Sequence, residues 1–67
     1  MTLDERLLRM LDARGYSISE AAKAAGMEKQ QVWRIVTGKN GNPGMVTVER
    51  IVAAIGGTMA ELFADDD

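Results

Sequence analysis

Residues 29–37 combine cationic, amide and aromatic side chains with an apolar helical period. At about 100° per residue, a helix would present one polar side and one apolar side. The polar side would carry Lys29, Gln30, Trp33, Arg34 and Thr37, and the apolar side Val32, Ile35 and Val36. Lys and Arg can pair with guanine O6 and N7, Gln can bracket adenine N6 and N7, and Trp or a Thr methyl can touch the thymine methyl. The pattern favours a helix that reads base edges in the major groove, although the solvated face of any amphipathic helix predicts it equally well.

A glycine-rich segment, GKNGNPG, follows at residues 38–44. It lacks the Walker spacing and no strand leads into it, so a nucleotide pocket is not expected. Lys39, Asn40 and Asn42 would lie beside the end of the preceding helix, where they could donate hydrogen bonds to DNA phosphates. A plain surface loop would have the same composition.

The residue types that are missing limit the chemistry of the chain. Its 67 residues include no His and no Cys, which removes the commonest general base, the thiol nucleophile and the usual zinc ligands. A metal-dependent enzyme would have to use Asp65, Asp66 and Asp67, but three carboxylates at a chain end more often form a solvated tail. We therefore expect no enzyme, no metal site and no cofactor.

The net charge of −2 hides an uneven distribution. Residues 1–50 hold eight basic and six acidic side chains, whereas residues 51–67 hold no basic and four acidic ones. Between residues 21 and 48 the only acidic residue is Glu28, against three Lys and one Arg. The segment best suited to a phosphate-bearing partner therefore coincides with the cluster at residues 29–37.

Glycines divide the chain into five helical segments, and no strand-like alternation occurs. The predicted helices cover residues 3–14, 18–25, 28–37, about 45–55, and a short stretch from Thr58 that includes Leu62 and Phe63, both expected in the core. The first is expected to bury Leu3, Leu7, Leu8 and Leu11. Ser17 with Glu20, and Thr58 with Glu61, have the spacing of capping boxes.

The prediction is an all-α, compact five-helix domain over residues 1–64, followed by an acidic disordered tail at 65–67. No apolar run approaches the about 20 residues that span a bilayer. The first eleven residues contain Asp4, Glu5, Arg6 and Arg9, unlike a signal peptide. We expect a cytoplasmic protein without a membrane partner.

The segment YSISEAAKAAGMEKQQVWRIVTGK resembles the helix-turn-helix of phage repressors and Cro-type regulators, the lambda-repressor-like or XRE family. The similarity rests on Ala22, on Gly26 and Met27 at the turn, and on Val32 and Ile35. It continues through the Pro43 loop and the closing segment TVERIVAAIGGTMAELF, and so covers about residues 6–63. The resemblance implies a lambda-repressor-like domain whose second and third helices form the helix-turn-helix.

The resemblance also implies which residues contact DNA. Base-reading positions correspond to Lys29, Gln30, Trp33 and Arg34. Phosphate-contacting positions correspond to Ser17, Thr37, Lys39 and Asn40. Three residues depart from the family pattern: Ile18 replaces a polar residue, Glu28 replaces Ser or Thr, and Trp33 replaces a small polar residue.

The function implied is a sequence-specific transcriptional regulator, a Cro-like repressor that binds a palindromic operator as a homodimer. Two half-sites about one helical turn apart would roughly double the base-contact energy of one small module. For the dimer interface the resemblance points to the loop before the fourth helix and to residues 55–63, with Gly57 and Met59 as candidates. The alternative is a protein-interaction module of the same fold, such as an antitoxin that binds a toxin.

Overall fold

The computed structural model describes residues 2–64, which form five α-helices and no strand. The helices are α1 (Leu3–Ala13), α2 (Ile18–Ala25), α3 (Lys29–Val36), α4 (Met45–Ala54) and α5 (Met59–Leu62). The prediction of an all-α, five-helix domain is confirmed. The predicted tail at residues 65–67 lies outside the described residues.

The predicted helix ends differ from the observed ones by single residues, and each of these residues is a cap. Arg14 and Ile55 are the C-caps of α1 and α4, and Glu28 and Thr37 flank α3 on its two sides. A cap residue shares the hydrogen bonds of the helix without its full backbone geometry, so an apolar period does not separate it from the helix interior.

Reciprocal hydrogen bonds between a hydroxyl residue and a glutamate fix where two of the helices begin. At α2 the Ser17 amide donates to Glu20 Oε1 over 2.9 Å, and the Glu20 amide donates to Ser17 Oγ over 3.1 Å. Thr2 and Glu5 make the same pair at α1, a capping box that was not predicted although its spacing is identical. Thr58 caps α5 by accepting from the Glu61 amide.

The turn between α2 and α3 depends on Gly26. This residue caps α2 with φ of 69°, in the left-handed region that side chains with a Cβ rarely adopt. Just beyond it, the Met27 amide donates to the Ala22 carbonyl over 2.8 Å. The chain thus reverses within a few residues, and α3 starts at a fixed place beside α2.

Helix α2 is the central element of the core, because it packs against both α3 and α4. Its buried residues, Ala21 and Ala22, are small and allow both neighbours to approach closely. Helix α1 covers α3 and α5. The remaining buried side chains are aliphatic: Leu7, Leu11, Val32, Ile35, Val36, Val48, Ile51, Val52, Ile55 and Leu62.

Two residues expected in the core are exposed instead. Leu8 lies one position beyond buried Leu7, and this step of about 100° around α1 turns its side chain out of the core. Phe63 is 45% exposed because α5 is a single turn that ends at Leu62. The Arg6 guanidinium lies 5.8 Å from the centroid of the Phe63 ring.

Arg6 of α1 and Arg14, the C-cap of α1, hold the short helix α5 in place. Arg6 donates to the Leu62 carbonyl over 3.2 Å and to the Ala64 carbonyl over 3.4 Å. Arg14 forms an ion pair with Glu61 at 2.6 Å. Because α5 has only four residues, it depends on such contacts and on buried Leu62 rather than on its own helical hydrogen bonds.

Candidate nucleic-acid interface

One side of α3 is built into the core. Val32, Ile35 and Val36 are buried, and the helix packs against α2 and α1. These contacts fix the rotation of α3 about its own axis, so the opposite side must face solvent. The helical period predicted from the sequence is confirmed for this element.

The solvent side carries every side chain proposed to read bases. Lys29, Gln30 and Arg34 are exposed, and Trp33 is exposed over 38% of its surface. Helical geometry puts Gln30 and Arg34 near the middle of this side, with Lys29 and Trp33 along one flank. Trp33 is therefore partly covered by the protein and partly available to a ligand.

Gln31 belongs to the same surface, although it was not among the residues predicted to contact DNA. It is exposed and lies one turn before Arg34 on the flank opposite Trp33. An open polar cleft of about 400 Å³ is lined by Glu28, Gln30, Gln31, Arg34 and Asn40. The helical period alone could have identified Gln31, since it lies on the exposed arc beside buried Ile35.

The loop after α3 is tied back to the helix. The Asn40 amide donates to the Arg34 carbonyl over 2.9 Å, and the Gly38 amide donates to the Ile35 carbonyl over 3.4 Å. The Asn42 amide then donates to Asn40 Oδ1 over 3.3 Å. These bonds place the side chain of Asn40 beside that of Arg34 on the wall of the cleft, and they leave the Asn40 Nδ2 donors for a ligand.

Ser17 and Thr37 were both predicted to contact phosphates. In the structure, each makes hydrogen bonds within the protein. Thr37 Oγ1 donates to the Trp33 carbonyl over 2.7 Å, so its proton is already used within α3. Ser17 caps α2 beside the Glu20 carboxylate. Lys39 is exposed in the loop, and its ammonium is free of hydrogen bonds and ion pairs to residues 2–64.

Comparison with known proteins supports the interpretation of α2, the Gly26 turn and α3. A family model described as a helix-turn-helix domain matches residues 5–64, nearly the whole chain. The chain belongs to the helix-turn-helix domain family. The family binds DNA, and α2 and α3 form its two-helix motif here. No curated protein and no solved structure matches the chain significantly.

Ile18 and Glu28, which differ from the repressor pattern, lie in different surroundings in this helix-turn-helix domain. Ile18, the first residue of α2, is partly buried and packs against the core. Its side chain therefore stabilises the fold. Glu28 is exposed at the start of α3 and makes no capping hydrogen bond with its side chain.

Gly57 and Met59, the candidates for a dimer interface, make contacts within the helix-turn-helix domain itself. A Cβ on Gly57 would lie 2.9 Å from Met10 Sδ, so the close approach of α1 accounts for the glycine. Met59 is partly buried against the core. Their role between two copies stays a prediction.

Within residues 2–64, no group of three His, Cys, Asp or Glu side chains is placed to hold a metal ion. The carboxylates considered for a metal, Asp65, Asp66 and Asp67, lie outside that range. None of the described helices is long and apolar enough to cross a membrane.

Proposed function

We propose that this helix-turn-helix domain is a sequence-specific transcriptional regulator, a Cro-like repressor that places α3 in the major groove of its operator. The observation that carries the proposal is the exposed side of α3, where cationic and amide side chains stand opposite a buried aliphatic side. Lys29, Gln30, Trp33 and Arg34 read base edges in this proposal. Lys39 and Asn40 hold phosphates beside α3 in this proposal, and Ser17 and Thr37 would join them only by giving up hydrogen bonds that they make within the protein.

The distribution of arginine contacts bears on affinity. Arg6 and Arg14 are engaged with α5, whereas four cations lie in the α2–α3 region and its loop. Lys23, Lys29, Arg34 and Lys39 are exposed there. With so few cations, non-specific binding is expected to be weak, and discrimination depends on base contacts and on a second half-site.

We propose that the regulator binds a palindromic operator as a homodimer. Met45 and Val46, at the start of α4, are 51% and 76% exposed although apolar. They directly follow the Pro43 loop, which the resemblance implicates in dimer contacts. Apolar side chains exposed at the start of one helix suit a contact with a second copy better than a contact with water.

Selection of bound sites from a random duplex pool tests the function. A palindromic consensus is expected, with half-sites about one helical turn apart. Titration of the selected site at several salt concentrations should then show affinity that falls as salt rises. Weak binding to every duplex, unchanged by salt, would contradict the proposal.

Sedimentation of the free chain tests the dimer surface. Val46→Asp introduces a charge at the most exposed of the two apolar positions and is expected to shift the protein towards monomer. Leu8→Asp is the matched control, because Leu8 is also apolar and exposed but lies on α1. Loss of the dimer in both variants, or in neither, would place the interface elsewhere.

The net charge of −2 gives some support to the alternative, a module that binds a protein such as a toxin. The two functions are compatible, since one surface can bind DNA while another binds protein. A chain that selects no DNA consensus but forms a stable complex with the product of an adjacent reading frame would favour the alternative.

A further inference from the structure

Glu28 occupies the N-cap position of α3, yet its carboxylate does not cap the helix. At the starts of α1, α2 and α5, a Thr or Ser oxygen accepts a hydrogen bond from the backbone amide of a Glu three residues later. Ser, Thr, Asp and Asn are favoured at an N-cap because their short side chains reach these amides. The local structure of α3 therefore does not account for a glutamate at this position.

The Glu28 side chain has no partner elsewhere in residues 2–64. It is exposed, and it forms neither a hydrogen bond nor an ion pair within that range. It lines the cleft together with Arg34, but the two opposite charges do not pair there. Both groups are therefore available to a ligand that enters the cleft.

The chemistry of a carboxylate restricts what that ligand can offer. A carboxylate only accepts hydrogen bonds, and DNA phosphates are also anionic acceptors, so Glu28 is repelled by the backbone. The donors exposed in the major groove are cytosine N4 and adenine N6, and cytosine N4 is the usual partner of Glu. Arg34, on the same wall, carries donors that suit guanine O6 and N7.

We propose that Glu28 selects a cytosine in the bound site and weakens binding to every sequence that lacks it. Opposite guanine or thymine, the carboxylate loses water on docking, gains no hydrogen bond and remains near the phosphates. Adenine offers its N6 donor, but the neighbouring N7 acceptor repels the carboxylate. The inference rests on the proposed function and adds the identity of one base and the residue that reads it. It also gives a functional reason for an acidic residue within an otherwise basic segment.

Parallel selections from a random duplex pool test the inference, using the wild-type chain, Glu28→Gln and Glu49→Gln. Glu49 is an exposed carboxylate on α4 outside the cleft, so Glu49→Gln removes the same charge from a different place. For Glu28→Gln, we expect cytosine discrimination at one position to fall roughly 5- to 100-fold. Adenine is expected to gain there, because Gln can bracket its N6 and N7.

Affinity for random duplex is expected to rise in Glu28→Gln, and thermal unfolding should confirm that all three chains are folded. A wild-type consensus that Glu28→Gln leaves unchanged, or that Glu49→Gln changes in the same way, would overturn the role of Glu28 and leave the proposed function intact. A wild-type chain that selects no consensus would overturn the proposed function and this inference together.

Discussion

The backbone amide of Asn40 donates a hydrogen bond to the carbonyl of Arg34 over 2.9 Å, which joins the loop after α3 to the helix that it leaves. A residue proposed to hold a phosphate is thereby kept at a fixed position relative to one proposed to read a base. Such an arrangement lets phosphate contacts set the register of the base contacts.

Gly38→Ala should disturb the connection between α3 and the loop that follows it. Gly38 has φ of 78°, and a Cβ there would lie 3.1 Å from Asp4 Oδ2. We expect the free energy of unfolding to fall by about 1–2 kcal/mol, which is the usual cost when a residue with a Cβ adopts the left-handed backbone conformation. Chemical denaturation measures the change. Gly41→Ala is the control, since Gly41 has open space around it, and an equal loss in both variants would contradict the explanation.

Arg34→Ala and Lys39→Ala should affect DNA binding differently. Arg34→Ala is expected to cost about 1–3 kcal/mol on the selected site and little on random duplex, because a bidentate base contact is lost. Lys39→Ala should weaken all duplexes alike and reduce the salt dependence, because a phosphate contact is lost. Titrations of both variants on both duplexes measure this, and equal losses throughout would refute the assigned roles.

The capping box of α2 predicts a dependence of stability on pH. Hydrogen bonds from the Ser17 amide and then the Ser17 hydroxyl lower the pKa of Glu20 from its ordinary value of 4.5. A carboxyl whose pKa is lower in the folded state stabilises the fold fully above its unfolded pKa, and it loses this contribution as pH falls through the folded pKa. Stability should therefore decrease on acidification below about pH 4.5.

Melting temperatures measured between neutral pH and pH 3 test the contribution of Glu20. Glu20→Gln keeps the length of the side chain and a carbonyl oxygen for the Ser17 amide, but it does not titrate. Its melting temperature should fall less steeply with acid than that of the wild type. Identical slopes would show that the Glu20 carboxylate does not contribute to the acid sensitivity.

The ion pair between Arg14 and Glu61 should contribute little to stability. Both side chains are partly exposed, and a pair of this kind typically contributes about 0.2–1 kcal/mol. A double-mutant cycle with Arg14→Gln and Glu61→Gln gives the coupling energy, which should shrink when salt is raised. A coupling energy well above 1 kcal/mol that salt does not change would mean that the pair is effectively buried.

The sequence predicted the features that depend on neighbours along the chain. Helical period indicated the buried side of α3, and the Ser-x-x-Glu spacing indicated the start of α2. Both follow from interactions between residues three or four positions apart. The exposed positions of Lys29, Gln30 and Arg34 followed from the same period.

Contacts between distant segments were not predictable in this way. Arg6 reaches the end of α5 across 56 positions, and Met10 packs against Gly57. Neither contact has a spacing rule, because each depends on how whole helices pack. For the same reason Phe63 was wrongly assigned to the core: its exposure depends on where α5 ends and which side of it meets α1.

The side chains of Gln30, Gln31 and Arg34 form no hydrogen bond or ion pair with the rest of residues 2–64, while Val32, Ile35 and Val36 hold α3 in the core. Folding and the proposed recognition thus use different positions of one eight-residue helix. Substitutions at a few outward positions of such a helix can change the DNA sequence that it binds, and the variants along the way still fold. If the proposed function holds, the domain is accordingly a suitable scaffold for directing DNA binding to a chosen sequence.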